Sequence, residues 1–253
     1  MDRIFNHKIA LVTGAAKGIG QATARAFAER GAKVILSDVD DSAGRLATKE
    51  LQEEALLAEF MPCDVSKHEQ VAEMMGSIAS KYGALDFAFN NAGIEGEQAP
   101  TDACSLENWQ RVIDINLNGV FYCMKYQLPL MIARGGGRII NCSSTAGRVG
   151  FAAIPAYNAS KHGVIGLSKS ASLSYAQQGI RVNSICPGVI YTSMIDRFSG
   201  GSEEGLQAMR EMQPVGRMGK PVEIANTVMW LCSPEADFVT GQEITVDGGY
   251  TTG

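Results

Sequence analysis

The chain has 253 residues, of which 45% are hydrophobic and 19% charged, an ordinary globular composition with no low-complexity tract. Its net charge of -5 excludes the basic footprint that nucleic-acid binding needs, and no apolar run approaches the ~18 residues of a membrane helix. The opening MDRIFNHKIALVTG has no long apolar signal core, and the six cysteines show neither a C-x-x-C pair nor histidines at zinc-ligand spacing. These features predict a soluble cytoplasmic protein with free thiols, no metal site, and small molecules rather than nucleic acid or membrane as partners.

In chain order, short β-branched runs recur at 8–12 (KIALV), 33–37 (KVILS), 85–90 (LDFAFN), 138–143 (RIINCS) and 180–185 (IRVNSI), and each reads as a buried strand. Segments with helical spacing lie between them, such as QATARAFAER ending at Gly31 and HEQVAEMMGSIASKY ending at Gly83. Glycine there suits a left-handed helix cap. The alternation predicts an α/β fold: a doubly wound (Rossmann) parallel sheet with helices on both faces and ligands at the carboxyl ends of the strands. No linker or repeat of fixed period divides the chain, so residues 1–253 read as one domain.

After the first run comes Gly14-Ala15-Ala16-Lys17-Gly18-Ile19-Gly20, leading into an alanine-rich helix. Glycines allow a pyrophosphate to approach the backbone, and the helix N-terminus supplies N–H groups and positive dipole. The second run ends at Asp38, where a carboxylate accepts hydrogen bonds from adenosine ribose hydroxyls and repels a 2′-phosphate, favouring NAD over NADP. Asp40, Asp41 and Ser42 are the more natural caps for the helix that follows. Lys17 complicates this choice, since a cation in the loop also suits an extra phosphate; Val39 supplies none.

Tyr157 and Lys161 stand at i and i+4 in a helical stretch, so their side chains share a face. A phenol is a poor base near neutrality, and a neighbouring ammonium favours its ionised form, making it a usable general acid and base. The strand RIINCSS ends at Ser144, a hydroxyl able to bind the same substrate oxygen. If the pleat continues, Ser143 points the other way and is structural. His162, Cys142, Cys186 and the Met-containing helix at 71–78 read as packing or solvent contacts.

Together T-G-x-x-x-G-I-G at 13–20, Asn90-Asn91-Ala92-Gly93, Asn116, Ser144, Tyr157, Lys161, Pro187-Gly188-Val189-Ile190-Tyr191-Thr192 and the terminal V-D-G-G at 246–249 resemble the short-chain dehydrogenase/reductase family over nearly the whole chain. The resemblance implies an enzyme that interconverts a secondary or cyclic alcohol and its ketone. It implies that Tyr157 exchanges the proton, Ser144 steadies the substrate oxygen, and Lys161 favours the ionised tyrosine while binding nicotinamide ribose. Asn116 would hold a water linking Lys161 to solvent. Gly14, Lys17 and Ile19 would line the pyrophosphate, Asp64 and Val65 the adenine, and Asn91, Ala92 and Gly93 the adenosine-to-ribose stretch. Pro187, Ile190 and Thr192 complete the cofactor contacts, the last two at the carboxamide.

Residues 192–214, with Gly200-Gly201 interrupting helical sequence, read as a substrate lid. Ile94, Val149, Phe151, Met194, Ile195 and Phe198 are candidates for an apolar pocket, with Glu95 and Arg197 adding polarity. A homo-oligomer, commonly a tetramer, is implied by the family. Two alternatives stand beside the NAD-dependent dehydrogenase: an NADPH-dependent carbonyl or 3-oxoacyl carrier-protein reductase, with which Asp38 is discordant, and a non-catalytic nicotinamide-binding sensor or scaffold. The sensor has no need of the Ser-Tyr-Lys set.

Overall fold

A computed structural model describes residues 3–198 and 202–252, with the side chains of 196–198 also left aside. Gly200 and Gly201, and the side chains of Arg197 and Phe198, therefore lie outside the described residues. The strands are β1 (Ile9–Thr13), β2 (Lys33–Asp38), β3 (Ala58–Pro62), β4 (Phe87–Asn90), β5 (Gly137–Cys142), β6 (Ile180–Pro187) and β7 (Glu243–Val246). They form one sheet in the order β3-β2-β1-β4-β5-β6-β7, and every pairing is parallel.

The helices are α1 (Gly18–Glu29), α2 (Asp41–Glu53), α3 (His68–Tyr82), α4 (Leu106–Ile113), α5 (Gly119–Arg134), α6 (Pro155–Tyr175), α7 (Ser193–Phe198), α8 (Glu203–Glu211) and α9 (Pro221–Cys232). Strand side chains alternate between the two faces, so the sheet builds two cores. On one face Val12, Val34, Leu36 and Ile140 pack with Phe27 of α1 and Val228 of α9; on the other, Leu11, Ile35 and Ile139 meet Ile78 of α3, Met131 of α5 and Val164 of α6. Met74 and Met75 lie in this second core, as ordinary packing residues.

All five sequence-predicted strands are present, shifted by no more than a residue or two at most ends. The helix ending at Gly83 closes on that residue at φ +68°, and Gly31 stands at φ +95° just beyond α1. Strand β3 has no counterpart in the sequence reading. It is an edge strand paired only with β2, and Ala58 is its one buried residue, so the segment lacks the continuous apolar run that marks its neighbours. The strand order reverses direction between β1 and β4, and a crevice opens there at the carboxyl ends.

Candidate active site

The crevice has a volume of about 390 Å³ and is lined by ten of the predicted cofactor residues: Gly14, Lys17, Ile19, Asp38, Asp64, Val65, Asn91, Ala92, Gly93 and Thr192. Gly14 adopts φ +63°, and a side chain there would bring its Cβ within 2.8 Å of the Ala92 Cα. The loop after β1 therefore lies directly against the loop after β4. Thr13 ties the two together: its hydroxyl oxygen accepts from the Asn91 N–H at 3.0 Å and the Ala92 N–H at 3.2 Å. The Asn91 amide donates to the carbonyls of Thr13 at 3.1 Å and Gly14 at 3.0 Å, so its side chain is spent on fixing the loops.

Asp38 does not cap α2; Asp40 does, accepting from the Ala43 N–H at 3.0 Å. The Asp38 carboxylate instead accepts from the Ala16 N–H at 2.9 Å and from the Asp40 N–H at 3.0 Å, which pins it to the wall of the crevice. Lys17 pairs with Asp40 at 3.1 Å in an exposed position. Its charge is partly neutralised there, which weakens the case for Lys17 as a phosphate-recognising cation. Asp64 closes a turn, its carboxylate accepting from the Ser66 N–H at 2.9 Å and hydroxyl at 2.7 Å.

At the other end of the crevice Gly93 marks the junction with the chemical groups. A Cβ on it would stand 3.2 Å from Asn116 Oδ1 and 3.5 Å from Lys161 Nζ. Lys161 is buried in α6; its ammonium donates to the Cys142 carbonyl at 2.9 Å and lies 5.5 Å from the centroid of the Tyr157 ring. Tyr157 stands one turn earlier on α6, half-buried. Ser144 begins a short 3₁₀ turn, where its hydroxyl oxygen accepts from the Ala146 N–H at 3.1 Å and keeps its own hydrogen to donate. Ser143 faces away and donates to the Lys161 carbonyl at 2.8 Å, the structural role its place in the pleat predicts.

Asn116 occupies a π-helical turn, Asp114–Asn118, and is fully buried. Its Oδ1 accepts from the Ile94 N–H at 2.8 Å, and its Nδ2 donates to the Ile94 carbonyl at 2.8 Å and the Ser160 hydroxyl at 3.2 Å. The side chain thus holds the β4 loop, and the water contact expected of this residue falls to its remaining carbonyl lone pair or its main chain.

Pro187 ends β6, and Ile190, buried just beyond it, pairs with Gly219 in an isolated bridge. Sequence reasoning assigned no role of their own to Thr13, Ile115 and Ser160. Thr13 and Ser160 act through hydrogen bonds across the fold, for which the chain carries no local signal.

The neighbouring thiols are inert. Burial raises Cys186 to about 11, and raises Cys142 despite the opposing charge of Lys161. His162 is exposed, its Nδ1 within 2.9 Å of the Asn158 carbonyl, the expected non-catalytic setting. Among the described residues no group of three or more His, Cys, Asp or Glu is placed to hold a metal ion.

Residues 14–251 match the family model described as enoyl-(acyl carrier protein) reductase. The chain is 43% identical to cyclohexanol dehydrogenase of Acinetobacter sp. (strain SE19), covering 100% of this chain and 98% of that protein. It is 41% identical to cis-4-hydroxycyclohexanecarboxylate dehydrogenase of Sinomonas cyclohexanicum, covering 99% of each. Among solved structures, levodione reductase superposes with a TM-score of 0.95 at 33% identity, over 98% of this chain and 99% of that one. With the motif residues gathered at one end of a parallel sheet, these matches establish that the chain belongs to the short-chain dehydrogenase/reductase family.

Proposed function

We propose that this enzyme is an NAD-preferring dehydrogenase that converts a secondary alcohol on a ring to its ketone, with Ser144, Tyr157, Lys161 and Asn116 as its chemical groups. Reaction class follows from the family: alcohol–carbonyl interconversion with a nicotinamide cofactor. Ring substrates are suggested by two relatives named for hydroxylated cyclohexanes. The preference for NAD rests on Asp38, which is fixed in the crevice wall by two backbone amides with the uncharged Val39 beside it.

The residues fit a dinucleotide. Gly14 and Gly18 line the crevice in the left-handed conformation with no side chain, the start of α1 offers N–H groups to a pyrophosphate, and Asp38 suits ribose hydroxyls. When bound, the nicotinamide accepts or returns a hydride. Tyr157 takes the proton from the alcohol oxygen during oxidation and gives it back during reduction. Ser144 donates a hydrogen bond to that oxygen, stabilising the charge that builds on it. Lys161, held in place by the Cys142 carbonyl, sets a positive charge beside the Tyr157 ring and would bind the nicotinamide ribose.

The segment 192–214 serves as the substrate lid in this reading; Thr192, Ser193 and Met194 line the crevice, and α8 has no buried residue to anchor it. The protein acts as a homo-oligomer, probed most directly through the exposed Leu106, Trp109 and Phe121 of α4 and α5. No helix among the described residues is long and apolar enough to cross a membrane.

The observation that supports the reading most is the place of buried Lys161, between Gly93 of the crevice and the Tyr157 ring, with its ammonium on the carbonyl of Cys142, two residues before Ser144. Replacing Tyr157 by Phe tests it. Cyclohexanol oxidation, followed by reduced-nicotinamide absorbance, falls by about 10²- to 10⁴-fold, the usual contribution of a general acid–base group, while NAD binding persists. Near-parental turnover in a folded Tyr157→Phe protein would remove Tyr157 from this role.

A further inference from the structure

Three segments follow directly on the residues of the site in the chain, and two of them meet the C-terminal turn. The first is the loop 148–154 between Ser144 and α6. Asn158, the residue after Tyr157, accepts from the Phe151 N–H at 3.3 Å and donates to the Phe151 carbonyl at 2.6 Å, so Phe151 is clamped beside the first turn of α6. The second is the end of 192–214 together with Val215, the residue after it; a Cβ on Gly249 would stand 3.5 Å from the Pro214 side chain. Val215 donates its N–H to the Gly248 carbonyl at 3.2 Å, and a Cβ on Gly248, at φ +61°, would come within 2.6 Å of the Val215 side chain. The third is the loop after β4, which joins the first where the Ala99 N–H donates to the Ala153 carbonyl at 2.8 Å.

The C-terminal turn is built to hold a shape. The carboxylate of Asp247, only 7% exposed, accepts from the Gly249 N–H at 3.0 Å and from the Thr251 N–H and hydroxyl at 2.9 and 2.7 Å. That turn presents Tyr250, whose ring stacks on Phe151 with centroids 5.7 Å apart and planes inclined by 13°. Both residues are half-buried, so the pair retains open ring surface. Nothing in the hydride chemistry calls for the V-D-G-G-Y segment, yet it touches two of these three segments.

We propose that Tyr250 is a specificity-determining residue: its stack on Phe151 forms a rigid aromatic wall at the substrate end, favouring ring-shaped over open-chain secondary alcohols. The inference rests on the proposed dehydrogenase reading and adds the residue that selects the substrate's shape. A ring meets a flat wall without freezing internal rotations, whereas an open chain loses rotamer freedom on the same surface. Aromatic stacking also fixes the wall's own position, because a displaced ring forfeits both contact area and its favoured geometry.

The test compares kcat/KM for cyclohexanol and 2-hexanol, at saturating NAD, in the parent and in Tyr250→Ala, Tyr250→Leu and Tyr250→Phe. Loss of the aromatic face in the Ala and Leu variants lowers the cyclohexanol-to-2-hexanol ratio by roughly two- to tenfold, mainly through KM, on the scale of an aromatic pair. Tyr250→Phe keeps the ring and keeps the ratio. The Leu variant preserves bulk where Ala fails to fold, with the thermal transition checked for each. An unchanged ratio in a folded Ala or Leu variant overturns the proposal, as does a Phe variant that loses as much as Ala. A parent enzyme that oxidises neither alcohol overturns the dehydrogenase reading and the proposal together, whereas parental turnover with an unchanged mutant ratio overturns the proposal alone.

Discussion

Replacing Asp38 by Asn separates the charge of this carboxylate from its hydrogen bonds, because the two have different consequences. The 2′-phosphate of NADP carries about -1.5 to -2 charges near neutrality. Taking a separation of about 5 Å and an effective dielectric between 80 and 20, repulsion from one carboxylate is worth about 1.5 to 6 kcal/mol, or roughly ten- to ten-thousand-fold in preference. Asn removes that repulsion. The structure also assigns a cost, since the two carboxylate oxygens accept separately from the Ala16 and Asp40 N–H groups at 2.9 and 3.0 Å. A carboxamide has one acceptor oxygen, so one of these amides faces an NH₂ group and loses its partner, at about 1–3 kcal/mol. Measured as kcat/KM with each cofactor, the NADP-to-NAD ratio rises within that range, and the melting temperature falls by a few degrees. Adding Val39→Arg, at a position 73% exposed on the crevice wall, moves the ratio further towards NADP. A parent that already prefers NADP, or an Asp38→Asn protein with the parental ratio, would refute the reasoning.

Two other outcomes follow from the same geometry. Lys161→Met removes the ammonium that donates to the Cys142 carbonyl and stands beside the Tyr157 ring, so turnover falls by at least about 100-fold and NADH binding, read by fluorescence titration, weakens as well. Glu223 lies well below the ordinary carboxylate range, at about 2, first because of the Arg217 guanidinium and then the Lys220 N–H. Its stabilising contribution to the start of α9 is complete above the ordinary Glu range and lost as pH falls through about 2; urea unfolding should show the gap between parent and Glu223→Gln closing over that window.

Elements that bury a continuous apolar run were legible in the sequence, and so were residues whose chemistry is local. Strands β1, β2, β4, β5 and β6 lie inside the sheet or against it, and each reads as a hydrophobic run; β3, with one buried residue at the sheet edge, does not. Tyr157, Lys161 and Ser144 were identifiable because helix spacing and strand ends are short-range properties. What the side chains are spent on was not. Thr13 anchors Asn91 and Ala92 only because the β1–β4 register sets Thr13 opposite Asn90, and Phe151 meets Tyr250 only after the whole sheet has formed. The π turn carrying Asn116 has no periodic signature over its five residues either.

Asn116 shows how far such a difference reaches, because its position in the family motif and its hydrogen bonds point to separable roles. Three bonds leave its buried side chain, two to the main chain of Ile94 and one to Ser160. At about 0.5–1.5 kcal/mol net for each, Asn116→Ala costs about 2–4 kcal/mol, which for a chain of this size lowers the melting temperature by roughly 5–15 °C. Ser160→Ala removes the 3.2 Å contact from Asn116 and the hydroxyl's own bond to the Tyr157 carbonyl but leaves the two bonds to Ile94 in place, at a cost of about 1–3 kcal/mol. If Asn116 acts by fixing the β4 loop, its substitution loosens Gly93 beside Lys161, and cofactor affinity falls along with stability. If it acts only through a water beyond Lys161, stability and cofactor affinity are parental and turnover alone collapses. Differential scanning calorimetry together with NADH titration distinguishes the two: an Asn116→Ala protein with the parental melting temperature and parental NADH affinity would show that the hydrogen bonds to Ile94 do not govern the site.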